Sequence, residues 1–221
     1  MSETIISHRL HDPDHAAPME REAFYQEQIA QVKKTGQPSK SISTVAVFLF
    51  NLRGELIVQK RDFQKQQNAG LLDKSVGGHI RYGDTPDFTV MIETIQELQS
   101  PSIVLANQDD FVKTRKLLRD YLSTVAIIQR IREEEFSFAR QINDQSVTLS
   151  YNTHIYFGIY DGRVRTADKE SKGALYYTLD ELKSEMQKSP NTFTGDLHSL
   201  LPHIEPELRD FLHLALFQDK D

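Results

Sequence analysis

Residues 78–100, GHIRYGDTPDFTVMIETIQELQS, are the stretch of sequence that decides the fold. They start in a glycine-bearing loop and then predict a helix, because Thr85 can cap it and Pro86 suits its first turn. Apolar side chains continue at helical spacing to about Gln99, and Pro101 stops the helix. We therefore expect a glycine loop that leads directly into an amphipathic helix.

Two carboxylates and one amide share a face of this predicted helix. Glu93, Gln96 and Glu97 lie at positions i, i+3 and i+4, so their side chains are neighbours. Carboxylate oxygens in such an arrangement can bind a hard divalent cation. The same spacing is also typical of a solvated helix face, so the sequence around the helix has to decide between the two interpretations.

The flanking sequence predicts strands and further helices. Residues 43–51, STVAVFLFN, and residues 55–61, ELIVQKR, flank a turn at 51–54, which predicts a β-hairpin. The other predicted elements are, in chain order, an irregular arm over 1–18, a helix over 20–34, a short strand over 75–80, a helix over 109–122, a segment over 123–134 that suits either a strand or a helix, strands over 147–160 and 174–178, a helix that begins after Thr178, and a final helix over 205–217.

The order of these elements predicts an α/β (α+β) fold, with one mixed sheet and helices on both of its faces. The 221 residues suit one domain of ordinary size with flanking elements. We divide the chain into an N-terminal arm and helix over 1–38, a central domain over 39–204 with an insertion at about 106–122, and a C-terminal helix over 205–221.

Composition excludes several classes of function. The net charge of −6 argues against nonspecific binding to nucleic acid polymers or to anionic membranes. The chain has no cysteine, so it has no disulfide, thiolate ligand or cysteine nucleophile. It contains no apolar run of membrane-spanning length and no signal peptide pattern at its start, so we expect a cytoplasmic protein.

The glycine loop and its helix resemble the Nudix box, G-x5-E-x7-R-E-U-x-E-E-x-G-U, where U is a bulky aliphatic residue. Three positions, Gly78, Glu93 and Glu97, match this pattern. The changed positions are Asp84 for the first glutamate, Ile92 for the arginine, Thr94 for the aliphatic residue, Gln96 for the first glutamate of the pair, and Gln99 for the last glycine. The box is therefore degenerate.

The flanks extend the resemblance to about residues 42–200. VFLFNLRGELIVQKR and LLDKSVGGHIRYGD are similar to the segments before the box in Nudix proteins near isopentenyl diphosphate isomerase. The segment from Thr153 to Leu197 resembles the later part of the same branch, where a strand, a turn and a Leu-Asp-Glu-Leu helix lead to a Phe-Thr tail. The resemblance implies a Nudix-type α/β/α sandwich with additional N-terminal and C-terminal helices.

The resemblance implies a pyrophosphohydrolase that uses Mg²⁺ or Mn²⁺ to hydrolyse a small molecule containing a diphosphate, of the nucleoside diphosphate derivative class. It implies Glu93 and Glu97 as metal ligands, and Gln96 as a catalytic position that has lost its charge. Gly78 shapes the loop at the substrate. The basic residues Lys60 and Arg61 are candidates for binding the substrate phosphates.

Isomerase chemistry is disfavoured, because Gly77 stands where the isomerase motif has its catalytic cysteine. His79 matches a metal ligand of the isomerases, but a single histidine is more often a packing or surface residue. The acidic run Glu133–Glu135 is a candidate source of a general base, although such runs are usually solvated. An inactive Nudix fold that binds a nucleotide or a protein is the alternative function, and a homodimer is an expected assembly.

Overall fold

The computed structural model describes residues 3–10, 12–64, 68–142, 145–164 and 171–217. The strands in these ranges are β1 (Thr4–Arg9), β2 (Asp12–Glu20), β3 (Lys40–Phe50), β4 (Leu56–Arg61), β5 (Leu72–Asp73), β6 (Val76–His79), β7 (Ser102–Leu105), β8 (Ala126–Ile142), β9 (Gln145–Ile159) and β10 (Ser171–Tyr177). The α-helices are α1 (Arg21–Thr35), α2 (Pro86–Leu98), α3 (Gln108–Leu117), α4 (Leu179–Lys188) and α5 (Gly195–Phe217).

All ten strands belong to one mixed sheet centred on β3. The main path is β10-β4-β3-β9-β8-β7, in which β3 runs parallel to β9 over ten residue pairs and β7 runs parallel to β8. The other neighbouring pairs are antiparallel, and β1 and β6 both pair with β3 on the edge away from β9. The mixed sheet that the sequence predicted is confirmed.

Both faces of the sheet are covered by helices. The side chains of β3 alternate between two hydrophobic cores, one on each face. Phe48 and Phe50 point into the larger core, where α1, α3, α4 and α5 pack. Val45 and Val47 point into the smaller core, which α2 closes with Val90 and Leu98 among others. This is the predicted α/β/α sandwich, and among the helices of the described ranges it places only α2 on this face of the sheet.

The prediction of an irregular arm over 1–18 is wrong. β1 and β2 form an antiparallel hairpin, and β1 also joins the central sheet through its pairing with β3. Ile5, a β-branched residue, is fully buried in the larger core, and its burial stabilises β1. The proline at Pro18 is compatible with a strand, because β2 pairs only with β1 within the described residues and prolines are tolerated on edge strands.

Helices α1 and α2 begin and end close to the predicted residues. Helix α1 begins at Arg21 and ends at Gly36, whose φ of 81° lies in the left-handed region that glycine adopts readily. Helix α2 begins after Thr85, whose side chain accepts a hydrogen bond from the Phe88 amide at 3.2 Å. The predicted ends of both helices agree with the structure to within a residue or so.

Two later elements differ from expectation. The ambiguous segment 123–134 is strand β8 from Ala126 onward, and helix α5 begins at Gly195 rather than at 205. Pro202 lies inside α5, but the helix buries Leu197, Leu200, Leu201, Ile204 and Leu208 in the larger core. This packing overrides the local cost of the proline. The domain boundaries stay a prediction, although α5 runs without a break across the one proposed at 204/205.

In the part of the chain that the structure describes, no helix is both long enough and apolar enough to cross a membrane.

Candidate active site

A cavity of about 780 Å³ lies where several elements meet at one end of the sheet. The first turn of α1 forms one wall, and β6 with α2 forms a second. The other walls come from β4, β5 and the first turn of α5. Of the predicted site residues, this cavity brings together Gly78, Arg61, Glu93, Gln96 and Glu97.

The two box glutamates lie on the cavity side of α2, close to the glycine loop. Glu97 is only 4% exposed, and its Oε2 accepts a hydrogen bond from the Gly77 amide at 3.2 Å. Glu93 packs directly over Gly78, because a Cβ at this glycine would lie 2.2 Å from Glu93 Oε1. Gly78 is therefore needed here for the close approach of the carboxylate.

The changed positions of the box have separate environments. Gln96 is exposed and lines the cavity beside the glutamates. Ile92 is half-buried and cannot form the ion pairs that an arginine would form there. Thr94 is buried, and its hydroxyl donates to the Val90 carbonyl at 2.6 Å, which satisfies it within the helix. Only the changes at Ile92 and Gln96 affect the charge of the site.

The retained glutamates fit one divalent cation rather than a larger metal cluster. Among the described residues, no group of three or more histidine, aspartate or glutamate side chains is arranged to hold a metal ion. Mg²⁺ in phosphate-binding sites is commonly held by one or two carboxylates together with waters and substrate phosphates. Glu93 and Glu97, one helical turn apart and facing the same cavity, can provide such a pair.

A buried ion-pair network lines the cavity beside Gly77 and forms what we call its ion-pair end. Asp73 is 5% exposed, and its carboxylate lies 3.3 Å from both Arg61 NH1 and Lys74 Nζ. Lys74 Nζ also lies 3.5 Å from Asp196 Oδ2, and Thr194 donates its hydroxyl to Asp73 at 3.0 Å. The network joins β4, β5 and the start of α5.

These contacts keep both members of the central pair charged. Burial disfavours the ionised form of Asp73, but the charges of Lys74 and Arg61 outweigh burial and hold the pKa of Asp73 below its usual value. Burial also disfavours the charged form of Lys74, but Asp73 and Asp196 outweigh it and raise the pKa of this ammonium. A bound anion therefore meets a positively charged lysine at neutral pH.

The two basic residues predicted at the end of β4 lie apart. Arg61 lines the cavity, as does Gln59 two residues earlier. Lys60 does not line it, because consecutive side chains of a strand point to opposite faces; its ammonium lies 5.2 Å from the centre of the Phe63 ring. The structure thus places Arg61, but not Lys60, where a substrate phosphate could be bound.

The N-terminal hairpin and α1 contribute a rim that the sequence did not predict. Glu3 pairs with Arg21 at 2.8 Å and with Arg81 at 3.2 Å, which ties the hairpin to the glycine loop. Tyr25 and His79 also line the cavity, and their side chains are joined by a hydrogen bond of 2.9 Å between Tyr25 Oη and His79 Nε2.

The acidic run at Glu133–Glu135 does not line the cavity. Glu133 instead accepts a hydrogen bond from Asn152 and lies 3.4 Å from His154 Nδ1. Asn152 and His154 belong to β9, the strand that pairs with β8. Their side chains lie on the face of the sheet opposite Tyr151 and Thr153, and it is Tyr151 and Thr153 that line the cavity. Glu133 is thus not positioned as the source of a general base, whereas Glu134 pairs with Thr153 and lies on the cavity face of the sheet.

The cavity as a whole is acidic. Among its described lining residues there are seven carboxylates and four basic side chains, not counting histidine. The carboxylates are Glu3, Glu20, Glu22, Asp73, Glu93, Glu97 and Asp196, and the basic residues are Arg21, Arg61, Lys74 and Arg81. Beside Glu93 and Glu97 a diphosphate would meet negative charge, so binding there calls for an additional cation, whereas Arg61 and Lys74 present positive charge to it.

Comparison with known proteins agrees with this architecture. No family model matches the chain. Isopentenyl-diphosphate Delta-isomerase from Serratia proteamaculans (strain 568) is 24% identical over 161 residues, which cover 67% of this chain and 68% of the relative. This sequence match confirms the resemblance to the Nudix branch near isopentenyl diphosphate isomerase.

Solved structures were compared with the fold of this chain. DR0079 from Deinococcus radiodurans superposes with a TM-score of 0.53 at 19% identity, covering 73% of this chain and 82% of that one. A NUDIX family hydrolase from Clostridium perfringens superposes with a TM-score of 0.44 at 15% identity, covering 79% and 97% respectively. The fold shared with DR0079 is a mixed sheet with α2 on one face and α1, α3, α4 and α5 on the other.

Proposed function

We propose that the chain is a metal-dependent Nudix-type pyrophosphohydrolase that acts on a small molecule containing a diphosphate, of the nucleoside diphosphate derivative class. The observation that carries the proposal is the placement of Glu93 and Glu97 on one wall of an acidic cavity, against the two glycines of the loop. A solvated helix face would not bury Glu97 or pack Glu93 over Gly78.

The residues have separate roles in this proposal. Glu93 and Glu97 would hold Mg²⁺ or Mn²⁺, which supplies charge neutralisation and polarises the phosphorus under attack. Gln96 lines the cavity next to them and can orient a water through its amide, but it cannot accept a proton as a general base. Arg61 and Gly78 would contact the phosphates. The neutral Gln96 predicts a slower reaction than a complete box would support.

Isomerisation of the kind named for the Serratia relative is not proposed. The chain contains no cysteine, and the position that matches the catalytic cysteine of that branch is Gly77. A Cβ at Gly77 would lie 2.5 Å from Lys74 Cε. This chain therefore uses the space beside the loop for a lysine side chain rather than for a thiol.

The test is hydrolysis of a panel of nucleoside diphosphate derivatives with Mg²⁺ or Mn²⁺ by the wild type and by Glu97→Gln. We expect metal-dependent turnover that falls at least about 100-fold in the variant, because a metal ligand is lost from the reacting centre. Glu185→Gln on α4 is the matched control, since Glu185 pairs with Lys188 away from the cavity. Turnover that is unchanged by Glu97→Gln would contradict the proposed site.

A second candidate function is an inactive Nudix fold that binds a nucleotide or a protein. The exposed amide of Gln96, where the box has a carboxylate, is the observation that favours it. The same panel distinguishes the two candidates when thermal unfolding is measured beside turnover. A nucleoside diphosphate that raises the unfolding temperature without being hydrolysed, with or without metal, would favour the binding function.

A further inference from the structure

We propose that Gln59, Arg61 and Lys74 form a phosphate-binding subsite at the ion-pair end of the cavity. All three line the cavity, and each presents hydrogen-bond donors. The inference rests on the proposed function for the identity of the substrate, and it adds Gln59 and Lys74 to the residues that recognise it. The expected ligand is a phosphate group, because its oxygens accept hydrogen bonds from these donors.

Gln59 gives the most direct indication of a ligand. Its side chain is 3% exposed, and its Nε2 has no hydrogen-bond partner among the residues that the structure describes. A buried amide donor without a partner costs free energy of about 1–3 kcal/mol. A donor kept at such a cost on the wall of a cavity is suited to an acceptor that arrives with the ligand.

Lys74 is positioned by the glycine loop and by its ion pairs. Its Cε and Nζ pack where the missing side chain of Gly77 would lie, at 2.5 and 3.0 Å from the position of a Cβ. Asp73 and Asp196 are the carboxylate partners of its ammonium within the described residues. Because an ammonium has three N–H donors, one donor remains for a ligand oxygen.

The two ends of the cavity are linked by short contacts through one residue of the loop. The Gly77 amide donates to Glu97, and the open side of the same glycine holds Lys74. A diphosphate with one phosphate beside the α2 carboxylates can therefore reach the Lys74 ammonium with the other. The subsite would bind the phosphate that is farther from the metal ligands.

The experiment is calorimetric titration of the full chain with inorganic pyrophosphate in EDTA, so that no divalent cation contributes. The variants are Gln59→Leu and Lys74→Met, with Lys188→Met on α4 as the control for loss of an exposed lysine. We expect affinity to fall roughly 10-fold in Lys74→Met and about 5-fold in Gln59→Leu, and to stay unchanged in Lys188→Met.

Gln59→Leu keeps the test valid if Lys74→Met fails to fold. Removal of an unpartnered buried donor should leave the free energy of unfolding equal or higher, while pyrophosphate affinity falls. Wild-type affinity retained by Gln59→Leu, or no binding of pyrophosphate by the wild type in EDTA, overturns the subsite. A chain that binds pyrophosphate through Lys74 but hydrolyses no substrate retains the subsite and loses only the proposed function.

Discussion

The two ends of the cavity differ in how their charges are held. At the α2 end, Glu93 and Glu97 remain, but Gln96 is an exposed amide. At the ion-pair end, Asp73 and Lys74 are buried and joined by an ion pair of 3.3 Å. An exposed position can lose its charge at little cost in stability. When one partner of a buried pair is removed, the other is left as an uncompensated buried charge, which is strongly destabilising.

This difference separates catalysis from binding. In the proposed function, the metal end would control the rate, and the neutral Gln96 would lower it without affecting the fold. The ion-pair end would bind the substrate, and it also joins β4, β5 and α5, so we expect it to resist substitution.

The largest expected effect is on stability, in Asp73→Asn. The substitution leaves Lys74 and Arg61 without the carboxylate they share, so the free energy of unfolding should fall by about 3–5 kcal/mol. Urea denaturation measures the change. Glu185→Gln, which breaks an exposed pair with Lys188, should cost less than about 1 kcal/mol. Equal effects of the two substitutions would show that the buried network contributes no special stability.

The same network predicts how stability depends on pH. Because the pKa of Asp73 is lower in the folded chain than its usual value, its contribution is complete above the unfolded pKa and is lost as pH falls through the folded pKa. The difference in unfolding free energy between wild type and Asp73→Asn should be constant from pH 7 to 5 and shrink below about pH 4. A difference that persists unchanged at pH 3 argues against the charged pair.

Gly78→Ala tests the close packing at the metal end. The new methyl group would lie 2.2 Å from Glu93 Oε1, so the flexible glutamate side chain must move. We expect Mn²⁺ affinity to fall about 10-fold, as it does when an orienting contact of a ligand is lost. Stability should change little, because the atoms displaced belong to the end of one side chain. An unchanged Mn²⁺ affinity would remove Glu93 from the metal site.

The smallest expected effect is a gain in Gln96→Glu. Gln96 is exposed on the cavity wall, so a carboxylate fits there without repacking. A third acidic ligand should tighten Mn²⁺ binding by roughly 3- to 10-fold. Turnover of any hydrolysed substrate should rise with it, and Gln99→Glu at the end of the same helix serves as the control. No gain in either measurement would mean that the lost charge at this position is unimportant.

Most of the fold could be predicted from local signals. The cap at Thr85 fixed the start of α2, and the apolar runs fixed β3 and β4. The N-terminal hairpin and the early start of α5 could not be predicted in the same way. Nearby prolines disfavour regular structure in both segments, but Ile5 and Leu197 are buried in the larger core against elements that are distant in sequence, and this burial outweighs the local effect. Only tertiary packing shows which of these preferences prevails.

The candidate site was predictable only where a motif marks it. Glu93, Glu97 and Gly78 came from the box and its flanks, and the structure brings them together. Gln59 and Lys74 lie in the flanking segments, where no motif gives them a role, and their proximity depends on the register of β4 against β5. A sequence cannot show that a buried amide lacks a partner, so this part of the site required the structure.

The most direct measurement is Mn²⁺ binding followed by electron paramagnetic resonance, with the wild type compared with the double variant Glu93→Gln/Glu97→Gln. We expect the wild type to bind Mn²⁺ at the cavity and the folded double variant not to bind it. Circular dichroism of the variant shows whether the fold is retained. Equal binding by both proteins, or no binding by the wild type, would contradict a metal site formed by these two glutamates.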